Sequence, residues 1–331
     1  MNLLYFNVIN RHRNWGAEWF LNAAFESLGH RTRCIDYREN RHRLAAAVED
    51  CGSVHALLVQ RGDRFPIELL RASKVPCFFI ATELFHRRPD QHPLLRCDAL
   101  AHVFVRTKEC ADEIVDRGWR SPEKVSILLS SFDPALHRIL PEVTDKDIDV
   151  LFLGGLTERR RRILDSLPND LNVVVTTAFG EEMIRYFNRA KIILNLHAAG
   201  YLDVETRIYE ALGSGGFVIS EKLAAENPFT DRELVEIEQT DKLGEAIGYY
   251  LAHEDERRRI AAAGHREAVR AHTYRARAEQ IVSVMEGYVE PDGLRAPFTR
   301  DAAWYLFRAA EGSQRVLSLL RRAVPIRPRS A

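Results

Sequence analysis

The chain has 331 residues, more than a single hydrophobic core usually supports, which predicts two domains. Hydrophobic residues make up 46% and charged residues 28%, a balance that excludes a disordered chain, and no apolar run approaches the roughly 20 residues of a membrane span. The 47 basic and 47 acidic residues cancel, so the total charge gives no reason to expect a nucleic-acid partner.

Cysteine usage and the amino terminus both predict a cytoplasmic protein. The five cysteines lie in the first third of the chain, and their odd number and lack of a CxxC pair argue against zinc and a disulfide framework. The first residues lack the basic stretch that opens a secretory signal. Most of the basic residues are Arg, which reflects either genome composition or selection for phosphate binding.

Short apolar strands alternate with helices through the first part of the chain. The strands are predicted at residues 2–9, 32–37, 55–60, 76–81, 101–105 and 125–129, and the helices at residues 16–28, 44–50, 66–73, 94–99 and 108–117. Strands that are apolar throughout and separated by helices are typical of a parallel sheet covered on both faces. The pattern predicts a doubly wound, Rossmann-like α/β domain over residues 1–140.

A stretch rich in Pro, Asp and Thr at residues 134–147 predicts the connection to a second domain. The alternation resumes with strands at residues 149–153, 171–176, 191–196 and 216–220, and helices at residues 158–167, 180–190, 203–212, 240–252, 254–271, 275–288 and 301–323. This series predicts a second doubly wound domain over residues 147–274, and helices over residues 275–331 that pack back on the first. Ligands of open parallel sheets bind beyond the carboxyl ends of the strands.

The segment after the strand at residues 191–196 has the features of an anion site. His197 ends the strand region, a loop with Gly200 follows, and a helix is predicted next. Free backbone N–H groups at the start of a helix bind phosphate. Arg207 and Glu210 share one helix face, where Arg207 can neutralise phosphate and Glu210 can accept two ribose hydroxyls. The alternative is a surface ion pair followed by a glycine cap.

The fourteen residues from Arg207 to Ser220, RIYEALGSGGFVIS, resemble the signature of the CgeB-like, spore-maturation-type branch of the group 1 glycosyltransferases. The turn Gly154-Gly155 followed by Arg159 resembles the glycine turn of that family, and further segments fit in order as far as residue 285. This resemblance implies the GT-B fold, in which two Rossmann-like domains face each other across a cleft.

The resemblance implies that the second domain binds a nucleotide-diphosphate sugar. Glu210 would hold the ribose, and Arg207 would stabilise the leaving diphosphate as the catalytic cation. The other implied donor-binding residues are Gly154, Gly155, Arg159, Phe179, His197, Gly200, Tyr201, Leu202 and Asp203. For His197, a hydrogen-bonded core position is the alternative. No Asp-X-Asp motif stands in the donor loop, so the reaction is expected to need neither a metal nor a cofactor.

The stereochemical outcome and the catalytic base are left open by the sequence. Many retaining relatives have Glu eight positions before Glu210, where this chain has Leu202. An inverting enzyme would need a base on the first domain. The base candidates follow predicted strands and are Asp63, Glu83 and His86; each is also interpretable as a strand-end cap or surface charge. Glu18 is placed on the exposed side of the first helix.

Together these patterns predict a bacterial, hexosyltransferase-type enzyme that moves a sugar from a nucleotide-diphosphate sugar to an unidentified acceptor, which is a glycan, a protein or a small molecule. The alternative is a non-catalytic nucleotide-binding or structural protein that keeps the fold. A nicotinamide enzyme is disfavoured because no GxGxxG follows the first strand. The basic, amphipathic helix at residues 301–323 predicts either packing on the first domain or a peripheral membrane contact.

Overall fold

The computed structural model describes residues 1–84, 87–198, 200 and 202–323. Contacts divide the chain into two compact units. The first comprises Met1–Val105, Glu109–Ile127 and the described residues from Ile281 onward; the second comprises Arg106–Lys108 and Leu128–Gln280. Within the described part of the chain, no helix combines the length and the apolar character needed to cross a membrane.

Eleven strands and twelve α-helices form the regular structure of the described residues. The strands are β1 (Asn2–Asn7), β2 (Arg31–Asp36), β3 (Ala56–Gln60), β4 (Cys77–Ile80), β5 (Leu100–Val105), β6 (Val125–Ile127), β7 (Ile148–Leu153), β8 (Val173–Thr176), β9 (Ala190–Asn195), β10 (Val218–Glu221) and β11 (Val235–Ile237). The helices are α1 (Ala17–Ser27), α2 (Leu44–Ala47), α3 (Ile67–Arg71), α4 (His92–Leu95), α5 (Lys108–Asp116), α6 (Glu158–Asp165), α7 (Gly180–Arg189), α8 (Thr206–Gly213), α9 (Leu243–Ala252), α10 (Glu254–Ala271), α11 (Tyr274–Glu286) and α12 (Ala302–Ala323).

The first unit contains a six-stranded parallel sheet with the order β2-β1-β3-β4-β5-β6. Strand β1 pairs with β2 on one side and with β3 on the other. The strand order therefore reverses between β1 and β3, which is the switch point of this sheet. The strands β3 and β4 are buried along their whole length, as their uninterrupted apolar sequences predict. The predicted doubly wound topology is confirmed.

The second unit contains a five-stranded parallel sheet with the order β11-β10-β9-β7-β8. Here the strand order reverses between the neighbouring strands β7 and β9. The strand β11 was not among the predicted elements, because its three residues, Val-Glu-Ile, are too few to form a periodic pattern. This sheet completes the predicted pair of parallel α/β domains.

The connection between the domains differs from the predicted one. The sequence places it at residues 134–147, whereas the contacts assign all of Leu128–Gln280 to the second unit. Phe132 is fully buried there, and a Cβ added at Gly213 of α8 would come within 2.4 Å of its ring. The Pro, Asp and Thr residues therefore mark a loop that packs on the second unit, which composition alone cannot distinguish from a free linker.

The helix α12 packs on the first unit over its described side chains. Trp304 and Phe307 are buried in the core of that unit, and the Glu311 carboxylate accepts hydrogen bonds from the backbone N–H groups of Leu44 and Ala45 at the start of α2. A carboxylate at that position stabilises the helix by satisfying its free N–H groups. A peripheral membrane contact of this helix stays a prediction.

Candidate active site

The predicted donor residues of the second unit gather where ligands bind in open α/β sheets. The gap between β7 and β9 is the switch point of the sheet, and the chain leaves these strands at Gly154 and Leu196. Crevices beyond the carboxyl ends of strands at a switch point are the usual ligand sites of such sheets. The side chains described next lie at this edge.

Arg207 is held at this edge by three neighbours. Its Nη1 donates to Oδ1 of Asn195 at 3.0 Å, its Nη2 lies 3.1 Å from Oε2 of Glu205, and its guanidinium carbon lies 5.2 Å from the ring centroid of Phe152. The side chain is only 11% exposed. Its Nε is buried and has no hydrogen-bond partner among the described residues. The guanidinium is therefore fixed and retains an unused donor.

The carboxylate of Glu205 lies beside two guanidinium groups and one imidazole. The sequence did not identify Glu205 as a site residue. Its Oε1 lies 3.2 Å from Nη2 of Arg160 and 3.8 Å from Nδ1 of His197. Burial alone would raise the pKa of the Glu205 carboxyl. The neighbouring His197 and the two guanidinium groups outweigh burial and lower this pKa to about 2. Glu205 is therefore ionised at neutral pH and orients the cations.

Arg160 is buried, although the run of four Arg predicts that residues beyond Arg159 form a solvated face. Its Nε and Nη2 donate to the carbonyl of Leu196 at 2.9 and 2.7 Å, and its Nη1 donates to the carbonyl of Gly155 at 2.9 Å. The Thr157 hydroxyl caps α6 by accepting from the backbone N–H of Arg160. Arg160 thus ties the glycine turn after β7 to the end of β9.

Arg159 and His197 are joined through Glu221 at the end of β10. Arg159 donates to both carboxylate oxygens of Glu221 and to the His197 carbonyl, the latter at 3.0 Å. The His197 backbone N–H donates to the same carboxylate at 2.6 Å. Burial alone would lower the pKa of the His197 imidazole, but Glu205 and the carbonyl of Lys222 raise it. Arg159 and His197, both predicted to bind the donor, therefore contact the same carboxylate, that of Glu221, which the sequence did not identify.

The guanidinium groups at this edge are matched by carboxylates. Those of Arg159, Arg160 and Arg207 face Glu205 and Glu221, and Arg106 pairs with Asp203. With Glu210 counted, four guanidinium groups and four carboxylates lie at this edge, before any contribution from His197. Clustered guanidinium groups beside a helix start are suited to an anionic ligand.

The helix that follows starts later than the sequence predicts. Residue 203 was the expected first residue, but α8 begins at Thr206 and the backbone of Glu205 is extended. The Asp203 carboxylate accepts from Nη2 of Arg106 at 2.9 and 3.0 Å, which holds that segment outside the helix. The N–H groups of the first helical turn therefore belong to residues beginning at Thr206.

Glu210 does not pair with Arg207. Its Oε1 lies 3.6 Å from Nε2 of the buried His137, and its side chain is 21% exposed. The alternative of a surface ion pair between Arg207 and Glu210 is thus wrong, because Arg207 is buried and paired with Glu205. A partly exposed carboxylate remains at Glu210.

Comparisons with known proteins were made against families, curated proteins and solved structures. Residues 148–283 match the family described as glycosyl transferase-like, and no curated protein matches the chain. Sucrose-phosphate synthase from Thermosynechococcus elongatus superposes with a TM-score of 0.64 at 12% identity, covering 86% of this chain and 98% of that one. A glycosyltransferase from Rickettsia africae gives a TM-score of 0.65 at 9% identity, over 88% and 99% of the two chains. The chain has the GT-B fold.

A third GT-B structure carries a ligand. Anabaena HepE in complex with UDP-glucose gives a TM-score of 0.61 at 12% identity and covers 87% of this chain and 100% of that one. Likeness at such identities establishes the fold alone. The family match lies over residues 148–283, which make up most of the second unit.

The other described residues that were predicted to bind the donor follow β7, β8 and β9. Phe179 directly precedes α7 and is 59% exposed, and Leu202 is 42% exposed. Gly155 and Gly200 have no atom within 4 Å of an added Cβ. Tyr201 lies outside the described residues. No group of three or more His, Cys, Asp or Glu side chains that could bind a metal occurs among the described residues.

Candidate bases on the first unit have different surroundings. Asp63 accepts from the Tyr37 hydroxyl at 2.7 Å and from Nε of Arg38 at 3.0 Å, and these contacts lower the pKa of its carboxyl although burial would raise it. A base at Asp63 would first have to release Arg38. Glu83 is partly exposed, and His86 lies outside the described residues. None of the three is tested as a base.

Glu18 is fully buried and forms an ion pair with Arg61, so its predicted exposure is wrong. Helix α1 places this residue beside Arg61, which lies in the loop after β3. A buried carboxylate requires a partner of this kind, because burying an unpaired charge is costly. The single acidic residue in the first turn of α1 looks like a surface residue in the sequence, because the pairing partner is 43 residues away.

Replacing Gly154 with Ala should weaken donor binding about tenfold. Gly154 has a φ of +148°, and an added Cβ would lie 2.7 Å from Nη2 of Arg207, so the guanidinium would have to move. The matched control is Gly155→Ala, where the Cβ would meet no atom within 4 Å. Calorimetric titration of both variants with UDP measures the effect. Equal affinities for the two variants would contradict this placement of Arg207.

Proposed function

We propose that the protein transfers a sugar from a nucleoside-diphosphate sugar to an acceptor hydroxyl, and that its second unit binds the donor. The observation that carries this proposal is the cluster of three guanidinium groups, of Arg159, Arg160 and Arg207, at the switch point. Guanidinium groups bind the oxygens of a diphosphate in pairs.

The chemistry requires stabilisation of a leaving group. The bond between the anomeric carbon and the diphosphate oxygen breaks, and the diphosphate takes the electron pair. The acceptor oxygen forms the new bond to that carbon and gives up its proton to a base or to the leaving diphosphate. Arg207 is suited to this step, since Asn195 and Glu205 fix its guanidinium before the reaction. Fixed donors aimed at developing charge lower the barrier without reorganisation.

Glu210 is proposed to bind the ribose. Its partly exposed carboxylate has two oxygens, which can accept the two ribose hydroxyls. The likeness to a GT-B protein crystallised with UDP-glucose makes UDP-hexoses the first donors to test. From the resemblance of residues 207–220, the chain is proposed to belong to the CgeB-like branch. From its cysteine usage, it is proposed to be cytoplasmic. The guanidinium cluster provides the positive charge that a metal supplies in other transferases, so the reaction is proposed to be metal-independent.

The test is a thermal-shift panel of UDP-, GDP-, dTDP- and CDP-sugars on the wild type and on Glu210→Ala. A ligand that binds only the folded state raises the melting temperature, so one sugar nucleotide should stabilise the wild type. Glu210→Ala should lose about a hundredfold in affinity, because it removes two ribose hydrogen bonds to a carboxylate, each worth roughly 1.5 kcal/mol. The control Glu182→Ala removes an exposed carboxylate of α7 and should bind normally.

Catalysis is tested separately from binding with the sugar nucleotide found in this panel. Slow hydrolysis of that donor without acceptor, unaffected by EDTA, is the expected result. Binding without hydrolysis would favour the alternative of a non-catalytic nucleotide-binding protein. Complete loss of hydrolysis with EDTA would contradict metal independence. An unchanged melting temperature with every nucleotide sugar would contradict the donor assignment. Equal affinity of the wild type and Glu210→Ala would contradict the role of Glu210.

A further inference from the structure

The loops at the carboxyl edge of the first sheet are rich in Arg. They follow β1, β2, β3 and β4, four neighbouring strands, and comprise residues 8–16, 37–43, 61–66 and 81–91 without 85 and 86. We call these loops the arginine edge. They contain nine Arg, no Lys and four acidic residues. These loops therefore carry five positive charges in excess, which Glu18 of α1 and Asp36 of β2, both in contact with them, reduce to three, in a chain whose total charge is zero.

The opposite edge of the same sheet lacks this bias. Its loops comprise residues 28–30, 48–55, 72–76, 96–99 and 117–124 and carry five basic and four acidic residues. Forty Arg in 331 residues would give the arginine edge about four if they were spread evenly, as genome composition alone would spread them. The concentration at one edge therefore needs a cause specific to that edge.

Three carboxylates pair with Arg of the arginine edge, and a fourth, of Glu39, accepts a hydrogen bond from the side-chain amide of Asn10. Asp63 binds Arg38, Asp90 binds Arg88 at 2.7 and 2.9 Å, and the buried Glu18 of α1 binds Arg61. The other six Arg are exposed and have no ion-pair partner among the described residues; they are Arg11, Arg13, Arg41, Arg43, Arg64 and Arg87. A surface built only for solubility mixes both signs of charge. Six unpaired guanidinium groups on adjacent loops are suited to a multiply charged anion.

The backbone of the arginine edge is strained at the switch point of the sheet. Among the described residues, the non-glycine residues with a left-handed φ are Asn14, Arg61 and Arg64, with φ values of +66°, +66° and +56°. They lie in the loops after β1 and β3, the two strands that flank the switch point. Such strain persists where the surroundings enforce it and concentrates at ligand sites. Buried Oγ1 of Thr82, in the loop after β4, has no hydrogen-bond partner among the described residues.

We infer that the arginine edge binds phosphate groups of the acceptor, so that the substrate glycosylated by this protein is a phosphorylated glycan or a phosphate-bearing lipid. The inference rests on the proposed transferase function, which requires a second substrate. Arg presents a planar pair of donors that matches two oxygens of one phosphate. Four loops carrying unpaired Arg can engage more than one phosphate at once.

The test compares two variants of the full chain that each lose two exposed positive charges from the first unit. Arg41→Gln with Arg64→Gln changes the arginine edge. Lys124→Gln with Arg31→Gln changes the opposite edge and the first residue of β2, which adjoins it. Calorimetric titration with inositol hexakisphosphate gives the affinity for phosphate. Mellitate, with six carboxylates, and uncharged inositol test the chemical class. Vesicles containing phosphatidylglycerol distinguish a lipid headgroup from a soluble phosphate.

The arginine-edge variant should bind inositol hexakisphosphate at least about tenfold more weakly than the wild type, because each lost hydrogen bond to a charged group is worth roughly 1.5 kcal/mol or more. The opposite-edge variant should bind within about twofold, and added salt should weaken binding. Loss of vesicle binding in the arginine-edge variant alone identifies a lipid acceptor. Binding of the soluble phosphate without vesicle binding identifies a soluble one.

Equal losses in the two variants, no binding by the wild type, or binding of mellitate as tight as that of the phosphate would overturn the inference. Each variant is also tested for stabilisation by the nucleotide sugar of the thermal-shift panel. That stabilisation should be unchanged, since the variants do not alter the second unit. If no nucleotide sugar stabilises the wild type while phosphate binding follows the arginine edge, the donor proposal fails and the anion site stands.

Discussion

Arg207→Ala should lower the rate of donor hydrolysis about a hundredfold and weaken donor binding about tenfold, the loss also expected when Gly154→Ala displaces this guanidinium. Removing one preorganised donor from a developing oxyanion typically costs a factor of roughly one hundred to one thousand in turnover. Arg207 is such a donor because Asn195, Glu205 and the ring of Phe152 hold its guanidinium in place. An interaction that strengthens in the transition state affects kcat more than binding. Hydrolysis rates at saturating donor measure this effect directly.

Two further variants separate the shape of the Arg207 guanidinium from its charge. Arg207→Lys keeps the charge but loses the planar fork, so it should recover only part of the rate. Arg162→Ala removes an exposed Arg of α6 that pairs with Glu158 four residues earlier, and it should leave the rate unchanged. A normal rate in Arg207→Ala, or an equal loss in Arg162→Ala, would show that Arg207 has no special part in the reaction.

The fold was predictable because the sequence pattern that indicates it lies within each strand and each helix. Both parallel sheets follow from short apolar strands separated by helices, and each strand carries that pattern in its own residues. The exceptions are places where tertiary contacts decide. Asp203 is held outside α8 by Arg106, which is 97 residues away, and the loop containing Phe132 is packed rather than free. No local pattern contains either contact.

The candidate site was predictable only in part. Arg159 and Arg207 follow from the glycine turn and from the signature after the donor loop, and both lie at the switch point. The acidic residues that position them, Glu205 and Glu221, come from different segments and carry no motif. The sequence does not single out Arg160, because four consecutive Arg spread around a helix and which one faces the sheet depends on where the helix begins.

Glu205→Gln should destabilise the second unit by about 3 kcal/mol at pH 7. The variant leaves Arg160 and Arg207 buried without their shared carboxylate, and breaking a buried ion pair from one side typically costs 3–5 kcal/mol, so the estimate is roughly the lower bound. The pKa of Glu205 gives a similar figure. A shift from 4.5 to about 2 corresponds to roughly 3 kcal/mol at 1.36 kcal/mol per pH unit.

The same shift predicts how the difference depends on pH. Because the folded pKa of Glu205 lies below its unfolded value, the ionised carboxylate contributes its full stability above about pH 5. This contribution is lost as the pH falls from 4.5 toward 2, where the carboxyl is protonated in the folded state as well. The wild type should therefore lose its advantage over Glu205→Gln in that range, and the two proteins should converge near pH 2.

The measurement has to report on the second unit. All four Trp lie in the first unit, at positions 15, 19, 119 and 304, so their fluorescence reports on the other part of the chain. Hydrogen exchange of the amides in β9 measures the opening free energy where Glu205 acts. The control is Glu158→Gln, an exposed partner of Arg162, which should change that free energy by less than about 0.5 kcal/mol. A Glu205→Gln effect as small as the control, or one that persists at pH 2, would mean that the cations at this edge do not depend on this carboxylate.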